Sequence, residues 1–349
     1  MSVEEHIEQQ LKLKRPFVLY SPPGSEVLKV VFQEDEVQCT DRDATSGFVF
    51  HAFDGSISWM LPFDRSEVFE VPFVAASIEI TPEEHLTESI ESKRQFMEAV
   101  TLAIDAIKKE KMQKVVLSRK MDVPFSKPKP LVLLRLLKSL YNNAFCYYFY
   151  HPNTGVWTGA SPELLLKHQA GNIQTVSLAG TRSHRTLETL DWTEKEYQEQ
   201  GLVTRYIESQ LQKHCVEVHV GDLQNHQAGP LFHLKTELRG VLKNTAQLSS
   251  LIEDLHPTPA VCGLPLEAAQ DFIIKHEGYD RRFYTGYLGE YVANREAESR
   301  LYVNLRCMQL LEDRATIYVG CGITADSDPE AEYLETVQKS TVMRRILQN

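Results

Sequence analysis

The hydrophobic positions of the first eighty residues fall in short runs separated by Pro, Gly and Asp turns. PFVLY (16–20), EVLKVVF (26–32) and SGFVFHAF (46–53) have the length and the aromatic and β-branched content of strands. From Ser92 onward the period changes to that of an amphipathic helix. Its apolar face is formed by Phe96, Val100, Ala103, Ile104 and Ile107.

Further along the chain, the same pattern predicts alternating groups of strands and helices. Strands are predicted over 114–123, 144–152, 155–168, 173–182, 283–292, 300–313 and 314–324. Helices are predicted over 130–141, 190–214 and 264–277, with a last helix from 327. Strands grouped in meanders with helices between them favour an α+β fold over a repeated βαβ unit.

Composition limits the classes of function. The 349 residues are 42% hydrophobic, enough for one large domain or two ordinary ones. The formal net charge of −11 argues against binding to nucleic acid or to an anionic membrane surface. No apolar run approaches the roughly 18 residues that a membrane span needs. A local basic pocket for an acidic small molecule remains open.

The cysteines show no metal-binding or disulfide pattern. None of the six forms a CxxC pair, so we expect reduced, mostly buried thiols. The N-terminal sixteen residues are charged and lack the apolar core of a signal peptide. We therefore expect a cytoplasmic protein. The cysteines are Cys39, Cys146, Cys215, Cys262, Cys307 and Cys321.

Two helices carry paired glutamates three residues apart. Glu332 and Glu335 share a face of the last helix. Glu196 and Glu199 have the same spacing on the helix predicted over 190–214. Such pairs are common on solvated helix faces. If both pairs turned inward they would suit a hard cation such as Mg²⁺, which prefers oxygen ligands. The spacing alone leaves both interpretations open.

Two further side chains are candidates for acid–base chemistry. Lys114 begins a predicted strand, and it is either a solvated strand end or a buried general base. Glu163 follows Pro162 and precedes three leucines, so it is either an exposed turn residue or an acid whose pKa is raised by apolar neighbours.

A glycine-flanked cationic set lies near the C-terminus. It comprises Arg306, Gly320, Gly322 and Lys339. Glycines let a backbone N–H approach an anion closely, and arginine grips carboxylates. The stretch VGCGIT lacks the third glycine and the strand–turn–helix context of a dinucleotide-binding loop.

Nine stretches follow one another between about residues 90 and 349. They are KVVLSRK, GASPELLLK, SLAGTR, EKEYQEQGLV, FHLKTELRGVL, LHPTPAVCGLP, RRFYTGYLGE, LRC and YVGCGITADSDPEAEYLETVQKS. In this order they resemble the chorismate-utilising enzymes. That family comprises isochorismate synthase, salicylate synthase, anthranilate synthase component I and aminodeoxychorismate synthase component I.

The resemblance implies a fold and a domain organisation. The fold would be the large α+β sandwich of that family, with two antiparallel sheets around the site and helices outside. Residues 1–90 would be the variable, β-rich N-terminal part of the same fold, and residues 91–349 the chorismate-binding catalytic region. A monomer without a glutamine amidotransferase partner is expected.

The resemblance also implies roles for single residues. Lys114 would activate a water for attack at C2 of chorismate, and Glu163 would protonate the departing C4 hydroxyl. Glu199 and Glu335 would bind Mg²⁺ directly, while Glu196 and Glu332 would hold its waters or support the site. The residues implied in substrate contacts are Thr181, His256, Tyr284, Arg306, Gly320, Gly322 and Lys339.

Local differences discriminate among the family's activities. Ala179 stands where aminodeoxychorismate synthases typically carry a lysine that takes part in the chemistry. Anthranilate synthases typically lack a lysine matching Lys114, and they carry an N-terminal tryptophan-sensing segment with no clear counterpart in residues 17–60. The LHPTPAVCGLP block is closer to isochorismate synthases. Isochorismate synthase is therefore the expected activity, with salicylate synthase as the alternative. Anthranilate synthase component I and a non-catalytic chorismate-binding protein follow after it.

Overall fold

The computed structural model describes residues 1–41, 43–75, 89–125, 129–183, 191–228, 231–244, 247–294 and 296–348. The α-helices of the described residues surround a β-sheet centre. They are α1 (Val3–Leu13), α2 (Ile90–Lys108), α3 (Pro130–Leu140), α4 (Glu194–His214), α5 (Gln247–Leu255), α6 (Leu266–His276) and α7 (Pro329–Gln348).

The strands of the described residues form two antiparallel sheets. The first contains β1 (Phe17–Ser21), β2 (Val27–Gln33), β6 (Ser66–Pro72), β7 (Lys114–Pro124), β8 (Phe145–His151), β9 (Gly155–Ser161), β15 (Gly263–Leu264), β18 (Cys307–Leu310) and β19 (Arg314–Ile323). The second contains β3 (Cys39–Thr40), β4 (Ser46–His51), β5 (Ser58–Pro62), β10 (Leu164–Gln169), β11 (Asn172–Ser183), β12 (Cys215–Val220), β13 (Gln224–Ala228), β14 (Leu231–Leu242), β16 (Tyr287–Val292) and β17 (Ser299–Val303). The predicted two-sheet α+β fold is confirmed.

Strand order explains how the sheets are built. The first sheet runs β15-β7-β19-β18-β9-β8-β1-β2-β6. The second runs β12-β14-β11-β10-β17-β16-β4-β5-β3, with β13 also paired to β14. Strands of the first ninety residues join both sheets, because β1 pairs with β8 and β4 pairs with β16.

The hydrophobic core lies in layers. Aromatic side chains of both sheets meet between them, as where Phe50 of β4 and Phe149 of β8 have ring centroids 4.5 Å apart. Helices α2, α3, α6 and α7 cover the first sheet, and α4 with α5 covers the second. The predicted apolar face of α2 is buried as expected. No helix among the described residues is long and apolar enough to cross a membrane.

Two predicted strands are wrong in the same way. Residues 155–168 divide into β9 and β10, and residues 300–313 divide into β17 and β18. In each case the two halves belong to different sheets. Pro162 lacks the N–H that a continuous ladder would need, and Arg306 takes a left-handed conformation with φ of 49° that bends the chain.

The crossing from β9 to β10 and the crossing from β17 to β18 lie side by side. The Val303 N–H donates to the Glu163 carbonyl at 3.0 Å, and the Ala160 N–H donates to the Arg306 carbonyl at 3.0 Å. The Ser161 hydroxyl donates to the Val303 carbonyl. Each crossing is therefore braced by the other, and each carries one candidate site residue, Glu163 or Arg306.

Candidate active site

A cavity that is partly open to solvent lies between the two sheets beside these crossings. Its walls come from both sheets and from helices α4 and α7. It brings together eight of the residues singled out from the sequence: Glu163, Glu199, Tyr284, Arg306, Gly320, Gly322, Glu335 and Lys339.

Glu163 is a buried carboxyl at the first crossing. It is 4% exposed, and burial raises its pKa to about 8. The positive charges of Lys114, Arg306 and Lys339 act in the opposite direction but do not overcome burial. The group therefore holds its proton at neutral pH, as a general acid requires.

Lys114 is fully buried and is not a solvated strand end. Its ammonium group lies 2.8 Å from Oε1 of Glu199, which extends from α4. Gly322 makes room for this ion pair. A Cβ at position 322 would collide with Oε1 of Glu199 and lie 3.0 Å from Cε of Lys114.

Lys114 is not among the residues that line the cavity, whereas the cations Arg306 and Lys339 are. Burial lowers the pKa of the Arg306 guanidinium, while Tyr284 and Glu335 act to raise it. The Lys339 ammonium donates to the Gly320 carbonyl at 3.0 Å and pairs with Glu335 at 2.7 Å. A Cβ at Gly320 would come within 2.7 Å of the Leu117 carbonyl and 3.1 Å of the Tyr284 hydroxyl, so glycine is needed there.

The four predicted metal carboxylates do not form one cluster. The Glu196 carboxylate turns back to accept from the N–H of Thr193 at 2.8 Å and from its hydroxyl, which caps its own helix. Glu332 is 2% exposed, beside Cys321, and does not line the cavity. Over the described ranges, no three His, Cys, Asp or Glu residues are close enough to hold a metal ion.

Glu199 and Glu335 nevertheless fit a magnesium ion. They line one cavity from two different helices and supply carboxylate oxygens. Mg²⁺ commonly binds through one or two carboxylates and keeps several waters. Glu199 and Glu335 are therefore the residues that would hold it.

One predicted substrate contact lies elsewhere, and the side chain of another is not described by the structure. The His256 ring contacts the Thr285 carbonyl through Nε2 at 2.9 Å, but it lines a neighbouring cavity with His51 and Tyr287. Burial lowers its pKa to about 3, so the ring is neutral. Thr181 lies in β11, and its side chain is outside the described part of the chain.

His233 was not singled out from the sequence, yet it lines the cavity. It is 5% exposed, and its Nδ1 lies 2.9 Å from the Gly180 carbonyl. Its neighbours Phe232 and Leu234 are also buried, so strand alternation gave no signal that the histidine faces a site.

Arg281 is another buried residue that was not predicted from the sequence. It is 3% exposed, pairs with Glu277 and donates to the Val116 carbonyl at 2.6 Å and the Val261 carbonyl at 2.9 Å. Because Val116 and Val261 both line the cavity, the hydrogen bonds of Arg281 connect two segments of the cavity wall.

Comparisons with known proteins show what this chain is similar to. The chorismate binding enzyme family matches residues 68–348. The salicylate biosynthesis isochorismate synthase of Pseudomonas aeruginosa is 31% identical over 268 residues, 74% of this chain and 56% of that protein. Isochorismate synthase EntC of Escherichia coli K12 is 30% identical over 272 residues, 74% of this chain and 68% of that protein.

A solved structure shares the fold. MenF, the menaquinone-specific isochorismate synthase from Escherichia coli, superimposes with a TM-score of 0.79 at 24% identity, over 95% of this chain and 89% of that chain. The sequence alignments span a little over half of the Pseudomonas protein and about two thirds of EntC.

Proposed function

This chain belongs to the chorismate binding enzymes, and from that premise we propose that it is an isochorismate synthase. The reaction would be the reversible conversion of chorismate to isochorismate. Water adds at C2 of the ring, the C4 hydroxyl leaves as water, and the ring double bonds shift between them. Oxidation state is unchanged, so the step needs no redox partner.

The charges of the cavity suit a dianionic substrate. Arg306 and Lys339 are cations on the cavity wall, and the Tyr284 hydroxyl is a further hydrogen-bond donor. Arginine binds carboxylates with paired, charge-assisted hydrogen bonds. In our proposal these three residues bind the two carboxylates of chorismate and fix the orientation of its ring.

The acid and the base come from different strands. Glu163 gives its proton to the C4 hydroxyl oxygen as the C4–O bond breaks. Lys114 enters this step as the neutral amine and takes a proton from the water whose oxygen bonds to C2. Oε1 of Glu199, 2.8 Å from its Nζ, orients the amine and pairs with the ammonium that forms. One proton enters the enzyme and one leaves it, so Lys114 and Glu163 exchange roles in the reverse reaction.

Glu199 and Glu335 would hold Mg²⁺ beside this step. When bound, the ion supplies positive charge that offsets the carboxylates of both the protein and the substrate.

The observation that carries the proposal is the state of Glu163. A carboxyl with a pKa raised to about 8 among three cations is a costly feature unless its proton is used. Its place at a braced crossing of the two sheets keeps it buried.

The test is a product assay. The protein is incubated with chorismate and Mg²⁺, with and without EDTA and with and without ammonium, and the products are separated by chromatography. We expect isochorismate in equilibrium with chorismate, abolished by EDTA and indifferent to ammonium. Salicylate with pyruvate would assign the alternative activity, anthranilate would contradict the role of Lys114, and no product would contradict the proposal.

A further inference from the structure

Two residues with a left-handed backbone flank Phe283 and Tyr284, in the turn that precedes β16. They are Arg282, with φ of 53°, and Thr285, with φ of 62°. Among the described residues, Thr285 is the only β-branched residue with a positive φ. A β-branched side chain makes this conformation unfavourable, so the surrounding structure must hold it in place. The same turn brings Tyr284 to the wall of the cavity between the sheets.

The carbonyls of both left-handed residues accept hydrogen bonds from other segments of the chain. The Phe53 N–H donates to the Arg282 carbonyl at 2.8 Å. Nε2 of His256 lies 2.9 Å from the Thr285 carbonyl. Because a carbonyl oxygen only accepts, Nε2 carries a ring hydrogen and donates it. Burial lowers the pKa of His256 to about 3, so the ring is neutral and this is its single N–H.

The peptides on both sides of Thr285 are fixed by hydrogen bonds. In the peptide before it, the Thr285 N–H donates to the Asn304 carbonyl at 2.9 Å. In the peptide after it, the Gly286 N–H donates to the Phe283 carbonyl at 3.1 Å, and the oxygen accepts from His256. Without the His256 side chain, the second peptide would be held by the bond within the turn itself.

The position of the Tyr284 hydroxyl depends on this turn. The ring of Tyr284 stacks on Tyr318 with centroids 5.6 Å apart, and its hydroxyl lies beside Gly320 on the cavity wall. A change of φ or ψ at Thr285 alters the direction of the chain directly after Tyr284 and displaces that hydroxyl. His256 lines the neighbouring cavity, so it acts on the hydroxyl through Thr285.

We propose that His256 is a positioning residue that holds Thr285 in its left-handed conformation and thereby places the Tyr284 hydroxyl for a carboxylate of chorismate. This inference rests on the proposed function, in which Tyr284 is one of three residues that bind the carboxylates. The charge of those carboxylates does not change during the reaction, so Tyr284 binds substrate and transition state alike. Loss of His256 should therefore raise KM and leave kcat nearly unchanged.

Two substitutions of His256 separate its hydrogen bond from the packing of its ring. His256→Phe keeps an aromatic ring against His51 and Tyr287 but removes the donor to Thr285. His256→Gln places an amide N–H near the position of Nε2, so it can restore the bond. We expect His256→Phe to raise KM for chorismate about 3- to 10-fold, as for a single hydrogen bond, and His256→Gln to recover part of the loss. His219→Phe, an exposed change on β12, is the matched control and should leave KM unaltered.

Thr285→Gly tests whether the bond acts through the strained backbone. Glycine adopts the left-handed conformation without strain, so it has less need of His256. In the Thr285→Gly background we therefore expect His256→Phe to raise KM less than about twofold. An equal rise in both backgrounds would overturn the inference. An unchanged KM in His256→Phe would also overturn it, even if urea unfolding showed a loss of stability, because the role of the ring would then be structural.

A measurement on the parent protein covers the case in which a His256 variant does not fold. With ¹⁵N-labelled histidine, the ring of His256 should be neutral at pH 7 and carry its hydrogen on Nε2. That hydrogen should exchange slowly with water, since it is bonded to the Thr285 carbonyl. A hydrogen on Nδ1, or a charged ring, would overturn the inference without any substitution.

The failure of the proposed function gives a different result. A parent protein that neither binds nor converts chorismate would contradict the proposed function and the inference with it. Isochorismate formation with the same KM in the parent and in His256→Phe would contradict the inference alone.

Discussion

The strand side and the helix side of the cavity control charge by different means. On the strand side, Glu163 lies at the crossing from β9 to β10 and Arg306 at the crossing from β17 to β18. Burial raises the pKa of Glu163 and lowers that of Arg306. On the helix side, Glu199 and Glu335 extend from α4 and α7, and each carboxylate pairs with a lysine at 2.8 or 2.7 Å. Their side chains are 13% and 25% exposed, against 4% for the whole of Glu163.

This difference separates two tasks. A carboxyl whose pKa is raised mainly by burial holds its proton at neutral pH before any ligand binds, which suits proton transfer. A carboxylate that is partly exposed and already paired with a lysine can also bind a metal ion, which suits reversible binding. The strand side should therefore respond to pH and the helix side to Mg²⁺.

The largest expected effect is that of Glu163→Gln. The amide is nearly the same size but has no acidic proton, so turnover of chorismate should fall about 10²- to 10⁴-fold. Steady-state rates by product chromatography measure the loss, and circular dichroism checks the fold. Glu312→Gln, on an exposed loop, is the matched control and should retain full activity. A loss of less than tenfold would contradict the assignment of the acid.

The next effect concerns the helix side. Glu335→Gln removes one charged ligand from the proposed Mg²⁺ site, so half-maximal activity should require about 10- to 100-fold more Mg²⁺. Titration of activity with Mg²⁺ measures the change, and calorimetry of Mg²⁺ binding checks it without turnover. Glu194→Gln, an exposed change on α4, should leave the requirement unaltered. An unchanged requirement in Glu335→Gln would exclude that residue as a ligand.

A third effect returns to the strand side. The acid acts only while protonated, and the pKa of Glu163 is raised to about 8. We therefore expect kcat/KM for chorismate to fall about tenfold per pH unit above pH 8. Fluorescence at each pH should show that the protein stays folded. A profile that stays level to pH 9.5 would contradict the raised pKa.

These two sides were not equally visible in the sequence. The fold class followed from runs of apolar residues, and the chemical types at Lys114, Glu163 and Arg306 were recognised. The sheet crossings were not predicted, because apolar residues continue on both sides of Pro162 and of Arg306. Which sheet each half of such an apolar run joins is decided only by its pairing with strands that are distant in the sequence.

The helix side shows a different limit. The spacing of Glu196 and Glu199 predicted one shared face, but Thr193 and Glu196 also form a capping box. Both signals are present in the same residues, and local sequence gives no way to rank them. The sequence also contains the capping box of Ser2 and Glu5 at the start of α1, a helix that was not predicted.

The smallest expected signal is in stability and needs no substrate. Because the folded protein holds the Glu163 proton up to about pH 8 and an unfolded chain releases it near pH 4.5, wild-type stability should fall as pH rises across that window. The slope from this group is at most about 1.4 kcal/mol per pH unit. Glu163→Gln has no proton to lose, so it should be the more stable protein at pH 8, with the advantage shrinking toward pH 5. Urea unfolding of both proteins at each pH, with Glu312→Gln as the control, measures the difference. A difference that is the same at pH 5 and pH 8 would mean that burial does not govern Glu163, and the contrast between the two sides of the cavity would then not hold.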